Sequence, residues 1–87
     1  MSLNIDELKN KIIYRSRYRG SKEMDSLMKS FVNNIIDGLD IDDLEKLLNL
    51  LEIDDINLYN YKYGYKTEAQ IFENRITKLF KDFTYKK

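Results

Sequence analysis

The chain has 87 residues, which is enough for one small hydrophobic core and therefore for one domain. It contains no cysteine and no histidine, so disulfides, the usual zinc sites and the commonest general base near neutral pH are excluded. Fifteen basic residues balance fifteen acidic ones, so the chain lacks the net charge that attracts nucleic acid or anionic lipid. We predict a single helical domain over residues 1–87, with frayed ends at about 1–4 and 85–87.

The charges are unevenly distributed along the chain. Residues 1–22 carry six basic and two acidic side chains, whereas residues 37–55 carry eight acids and one lysine. No apolar run approaches the roughly eighteen residues that a membrane span needs, and the N-terminus does not have the pattern of a signal peptide. We therefore expect no membrane insertion, and a location in the bacterial cytoplasm or, in a eukaryote, the mitochondrial matrix.

Apolar residues repeat with helical spacing in five segments, and the glycines fall between segments. The first helix is predicted from about residue 5 to about residue 18, with Asn4 as its N-cap. The second follows Ser21 and has the broadest apolar face, formed by Met24, Leu27, Met28, Phe31, Val32, Ile35 and Ile36.

The remaining three helices also have start and stop signals. Asp40 caps a third helix that ends near Glu52, and Asp54 starts a fourth that Gly64 stops. The last segment opens with the capping-box pattern Thr67-Glu68-Ala69-Gln70 and continues with Ile71, Phe72, Ile76, Leu79, Phe80 and Phe83. Because the connections are short, neighbouring helices run roughly antiparallel, and the predicted fold is an all-α, compact bundle of five short helices.

The acidic middle of the chain does not match a metal-binding pattern. A calcium loop starting at Asp40 needs an oxygen ligand at position 44 and a glycine at position 45, where the chain has Leu44 and Glu45. We interpret these acids as helix caps and solvated surface, and predict no metal site. The adjacent pair Asp54-Asp55 is likewise interpreted as a cap and a charge near the helix dipole rather than a catalytic pair.

The stretch RSRYRGSKE, residues 15–23, concentrates arginine next to a glycine. Cations in a last helical turn complement the helix dipole, so a solvated helix end is one interpretation. The other is a docking corner, because the planar guanidinium suits bidentate recognition and a turn at Gly20 brings Arg19 and Glu23 near one another. Both remain open on the residues alone.

Four tyrosines alternate at positions 59, 61, 63 and 65. This period suits a strand, yet the flanking caps favour a short helix with rings on more than one face, so the rings cannot all be buried. Tyrosine is enriched at protein interfaces and is also used to fill small cores, and the two roles are equally open here.

Three segments in order resemble one known family. The residues Arg19-Gly20-Ser21-Lys22-Glu23, followed by Met24-Asp25 and an apolar helix, resemble the RGxxE signature of the succinate dehydrogenase FAD assembly factors, the SdhE-like flavinylation proteins. LLEIDDINLYNY, residues 50–61, is similar to the family's LLExxDxxLxxW segment, with Tyr61 where the family often has tryptophan. IFEN, residues 71–74, is similar to the start of its last helix, so the resemblance extends from about Ile12 to Phe83.

The resemblance implies a five-helix bundle that promotes covalent attachment of FAD to the flavoprotein subunit of succinate dehydrogenase, and in some bacteria of fumarate reductase. It implies a conserved contact patch at Arg19, Gly20 and Glu23. The candidate partner-binding residues, including those that support this patch, are Arg17, Arg19, Gly20, Glu23, Asp25, Tyr59 and Tyr61. The chain has no glycine-rich phosphate loop, so we expect that it binds no cofactor itself. The resemblance implies that FAD belongs to the flavoprotein subunit, which we call the client. We also expect the free protein to be a monomer without catalytic residues.

Two other classes of function are considered. A nucleic-acid-binding bundle would place the basic residues of the first helix on phosphates, namely Lys9, Lys11, Arg15, Arg17 and Arg19. The zero net charge and the acidic middle weigh against it. An enzyme is disfavoured because histidine and cysteine are missing and the chain is too short for a large cleft.

Overall fold

The computed structural model describes residues 4–17, 21–68 and 70–84. In this part of the chain the α-helices are α1 (Ile5–Arg17), α2 (Lys22–Ile35), α3 (Ile41–Leu51), α4 (Asp55–Lys62) and α5 (Arg75–Asp82), and a 3-10 turn at Ile36–Gly38 follows α2. No strand occurs in these residues, so the predicted all-α bundle of five helices is confirmed. Of the predicted frayed ends at about 1–4 and 85–87, all but Asn4 lie outside the described residues, as do two candidate site residues, Arg19 and Gly20. Asn4 is ordered as the N-cap of α1.

The first four helices begin where their sequence signals place them. The Asn4, Ser21, Asp40 and Asp54 side chains each accept a hydrogen bond from the backbone N–H three residues later, at 2.8, 3.1, 2.9 and 2.8 Å. Each of these bonds satisfies one of the N–H groups that a helix start leaves without an intrahelical partner. Gly64, which follows α4, has φ of 79°, a conformation that glycine adopts without a Cβ penalty.

The predicted start of the fifth helix is wrong. The helix does not begin at Thr67 but at Arg75, and its N-cap is Asn74. The Asn74 side chain accepts the Thr77 N–H at 2.9 Å, and the Thr77 hydroxyl accepts the Asn74 N–H at 2.7 Å. The Glu68 N–H instead donates to the Asn57 side chain of α4 at 2.9 Å, and this contact holds the segment before α5 in a non-helical path.

The position of the last two apolar residues before α5 differs from the prediction as a result. Ile71 is half-buried and Phe72 is 74% exposed, and both lie before α5, whereas the prediction included them in the helical segment. Leu79 of α5 is also exposed at 38%. The buried contribution of this region comes from Ile76 and Phe80, which are fully buried.

The core lies between the apolar faces of all five helices. Helix α1 packs against α2 and α3, and α5 packs against α3 and α4. Phe31 of α2 and Phe80 of α5 meet edge to face at 5.3 Å between ring centroids. None of the helices in the described residues combines the length and the hydropathy that a membrane span requires.

One acidic residue of the middle segment is not on the solvated surface where it was predicted. Asp43 in the first turn of α3 is only 5% exposed, and its carboxylate is 2.6 Å from the Arg75 guanidinium at the start of α5. The ion pair connects α3 to α5 and compensates the burial of this carboxylate.

Candidate functional site

The start of α2 lies against the start of α4. The Ser21 N–H donates to the Asp55 carboxylate at 3.2 Å, across 34 residues of sequence. Ser21 belongs to the RGSKE stretch and Asp55 to the LLEIDDINLYNY stretch. Two of the three segments that carry the family resemblance therefore meet in the fold.

A pocket of about 450 Å³ opens beside this junction. It lies between the first turns of α2, the end of α4 and the end of α5, and we call it the α2–α4–α5 pocket. Its walls include Met24 and Leu27 on one side and Phe83 on another. Polar groups are contributed by residues that lie near its opening: Glu23, Tyr59, Tyr63, Lys81, Asp82 and Thr84.

Exposed tyrosines cover the outer side of α4 and the residues that follow it. The Tyr59 and Tyr63 ring centroids are 4.7 Å apart, and the Tyr59 ring is stacked with Tyr65 at 6.3 Å. All three are more than 40% exposed, and the neighbouring Ile56 is 75% exposed. We call Ile56, Tyr59, Tyr63 and Tyr65 the tyrosine surface, because together they form a continuous apolar and aromatic area next to the pocket.

A comparison with protein families identifies the group to which the chain belongs. The model of the family described as flavinator of succinate dehydrogenase, Sdh5, matches residues 10–84. The chain belongs to the Sdh5 family. Its role is accordingly that of an assembly factor in the flavinylation of succinate dehydrogenase, and the resemblance found in the sequence is confirmed. No individual curated protein and no solved structure matches the chain significantly.

The predicted site residues of this Sdh5 family member occupy different places. Glu23 and Tyr59 both line the α2–α4–α5 pocket. Arg17 is exposed at the end of α1. Asp25 is half-buried: one carboxylate oxygen lies 3.7 Å from Lys29, and the other is buried and has no hydrogen-bond partner among the residues that the structure describes.

Tyr61 differs from the other tyrosines of α4. It is half-buried and packs against the core, and its buried hydroxyl has no hydrogen-bond partner within the described part of the chain. The Lys81 ammonium lies 5.5 Å from the centre of its ring. Tyr59 thus presents its ring to the surface, whereas Tyr61 supports the packing of α4 against the end of α5.

Sequence reasoning missed Lys62, a buried residue that lines the pocket. Its ammonium donates to the backbone carbonyl oxygens of Phe80 at 2.7 Å and Lys81 at 3.3 Å, and also to that of Phe83. It further lies 5.2 Å from the centre of the Phe80 ring. Burial lowers the pKa of Lys62 from its ordinary value of 10.5, and the charge of Asp82 opposes this shift. The one available sequence signal was a lysine within an otherwise aromatic and apolar helix end.

Two of the basic residues considered for nucleic-acid binding lie close to acidic residues of the protein itself. Lys9 lies 3.8 Å from Asp37, and Arg15 lies 3.5 Å from Glu52. These contacts place part of the acidic middle beside the basic first helix and so reduce the positive potential that phosphates need. Within the described residues there is also no group of three or more acidic side chains that could hold a metal ion.

Proposed function

We propose that this protein binds the flavoprotein subunit of succinate dehydrogenase through the start of α2, the tyrosine surface and the end of α5. Bound there, it promotes covalent attachment of FAD to that subunit. The observation that carries the proposal is that Glu23 and Tyr59, from two of the segments that resemble the family, line one pocket within the matched range. The family resemblance already implied this client, and the proposal adds which surface of this protein the client contacts.

The two parts of this surface contribute differently to binding. Exposed tyrosine rings supply large contact areas at low entropic cost and are enriched at the centres of interfaces. Glu23 supplies a charge for pairing with a basic group of the client, which favours one orientation over others. Arg17, Arg19, Gly20 and Asp25 complete the proposed contact area at the α1–α2 corner.

The protein acts without catalytic side chains of its own. The chain has no histidine or cysteine. As the family resemblance implies, FAD and the histidine to which it becomes attached both belong to the client. Docking accelerates the attachment by holding a client conformation in which the flavin and the acceptor are aligned, because restricting geometry lowers the entropic part of a barrier. The protein itself binds no FAD and is a monomer when free, in the bacterial cytoplasm or the mitochondrial matrix.

The flavoprotein subunit of fumarate reductase is a second proposed client, since the family resemblance extends to it in some bacteria. The test below therefore uses both flavoproteins in parallel.

The proposal is tested by co-expressing each flavoprotein with the wild-type protein or with Glu23→Ala or Gly20→Arg. Covalent flavin is read as fluorescence of the client band after denaturing electrophoresis. We expect both variants to fold, as judged by circular dichroism, and to bind the client roughly tenfold or more weakly, as truncation of an interface hot spot does. The amount of flavin covalently bound to the client then falls as well.

The matched control is Glu45→Ala, which removes an exposed carboxylate from α3, outside the proposed surface. It is expected to leave covalent flavin at the wild-type level. Normal flavin fluorescence with both Glu23→Ala and Gly20→Arg contradicts the proposal.

A further inference from the structure

We propose that the α2–α4–α5 pocket binds an arginine side chain on the surface of the client flavoprotein. This inference rests on the proposed function, because it names the group of the client that the site receives. It concerns the α2–α4–α5 pocket, and it gives a role to Asp82, which the sequence analysis did not single out, and a more specific role to Tyr63.

The shape of the pocket suits a long side chain with a planar head. Its volume of about 450 Å³ lies within the range of about 300–1,000 Å³ that is typical of ligand pockets. Met24, Leu27 and Phe83 offer apolar walls against which the aliphatic stem of an arginine can pack. Near the opening, Tyr59 and Tyr63 are 44% and 52% exposed, and a guanidinium stacks favourably on such rings.

The charge of the pocket opening favours a cation. Glu23 and Asp82 both line the pocket and both are exposed. Among the described residues, neither forms a salt bridge with a basic side chain. An apolar occupant would remove these carboxylates from water without compensation, whereas the fork of an arginine can donate two parallel hydrogen bonds to one of them.

The basic residues of the pocket are already engaged elsewhere. The Lys62 ammonium donates to three backbone carbonyl groups, which matches its three N–H donors. The Lys81 ammonium lies 5.5 Å from the centre of the Tyr61 ring. Neither lysine forms a salt bridge with Glu23 or Asp82 among the described residues, so a cation from the client can pair with these carboxylates.

A first experiment tests the pocket without the client. We propose a ¹⁵N NMR titration of the full chain with N-acetyl-arginine amide, with N-acetyl-norleucine amide as an apolar probe of similar length. Saturable shifts are expected at Glu23, Tyr59, Tyr63 and Asp82 with the arginine probe, and binding about threefold or more weaker in Asp82→Asn. Glu45→Gln serves as the matched control, with wild-type binding.

Several outcomes overturn the inference. Equal shifts with both probes show that the pocket recognises apolar groups, and shifts outside the pocket show that it is not the site. If the arginine probe binds only after residues 85–87 are deleted, the chain's own Lys86 and Lys87 occupy the pocket and the inference also fails.

A second experiment measures the affinity of the purified flavoprotein for Asp82→Lys and Tyr63→Ala. Each is expected to weaken binding about tenfold, and Asp82→Lys also reduces the dependence of affinity on salt. If Gly20→Arg weakens binding but Asp82→Lys and Tyr63→Ala do not, the pocket inference fails and the proposed function stands. If the wild-type protein does not bind the flavoprotein at all, the proposed function fails, while the probe titration still reports on the pocket.

Discussion

The two ends of α5 are held in different ways. At its N-terminal end, Asn74 and Thr77 satisfy each other's backbone N–H groups across three residues. At its C-terminal end, Lys62 donates to carbonyl groups that lie 18 to 21 residues away. Both arrangements satisfy backbone groups that a helix end leaves unpaired. The first is local and the second depends on how α4 packs against α5.

The difference matters for function because the pocket adjoins only one of these ends. Lys81, Asp82, Phe83 and Thr84 all line the α2–α4–α5 pocket. The bonds from Lys62 therefore position the pocket wall, whereas the capping box at Asn74 lies at the other end of α5. We expect a change at the C-terminal end to affect both stability and binding, and a change at the N-terminal end to affect stability alone.

The largest effect is expected for Lys62→Met. The variant keeps the buried stem but leaves three carbonyl groups without their donor, which lowers the free energy of unfolding by about 2–3 kcal/mol. It also loosens the pocket wall, so client binding weakens. Urea denaturation measures the loss of stability, and calorimetric titration with the flavoprotein measures the loss of client binding.

Lys66→Met, which changes an exposed lysine, is the control and should lower the free energy of unfolding by less than about 0.5 kcal/mol. Equal stability of Lys62→Met and Lys66→Met contradicts the role given to Lys62 at the C-terminal end of α5.

A smaller effect is expected for Asn74→Ala. Loss of the N-cap side chain lowers the free energy of unfolding by about 1 kcal/mol, and Asn74→Ser restores most of it because serine also caps helices well. Client binding should remain at the wild-type level under conditions where the variant is folded. Weakened binding with Asn74→Ala, to the extent seen for Lys62→Met, removes the distinction between the two ends.

The smallest effect is a pH dependence carried by Lys62. Its pKa is lower in the folded protein than the ordinary value of 10.5, so in the window between these two values the unfolded chain binds more protons. The stability of the wild type relative to Lys62→Met should therefore increase as pH rises through that window. Denaturation of both proteins at several pH values from about 8 to about 10 measures this difference. A relative stability that falls with pH shows that the carbonyl groups favour the ammonium more than burial disfavours it.

The fold of the first four helices was predictable because their signals are local. Asn4, Ser21, Asp40 and Asp54 each bond to a backbone group three residues away, so the pattern can be recognised in the sequence. The same reasoning placed the fifth helix wrongly, since Thr67-Glu68-Ala69-Gln70 fits the commoner capping-box pattern better than Asn74-Arg75-Ile76-Thr77 does. In the structure the Glu68 N–H instead bonds to Asn57, a distant residue of α4, and no local pattern near Thr67 in the sequence indicates that bond.

The candidate site was predictable to a similar degree. Glu23 was implied by the family resemblance and Tyr59 by the run of tyrosines, and both line one pocket. That they contact the client stays a prediction. That Asp82 and Tyr63 line the same pocket could not be predicted, because an acid at the end of a helix and one tyrosine among four carry no signal of a shared cavity. Lys62 was missed because a lysine is normally solvated, and only burial against α5 gives it a different role.

The sequence by itself determined the helical class, the starts of four helices and membership in the Sdh5 family. These depend on apolar periodicity and on bonds between residues three or four positions apart, and such local patterns are visible in the sequence. The tertiary structure alone decided the start of α5, the exposure of Tyr59 and the burial of Tyr61, and the pocket closed by α2, α4 and α5. Each of these depends on contacts between distant segments, whose free energies exceed the local preferences that the sequence displays.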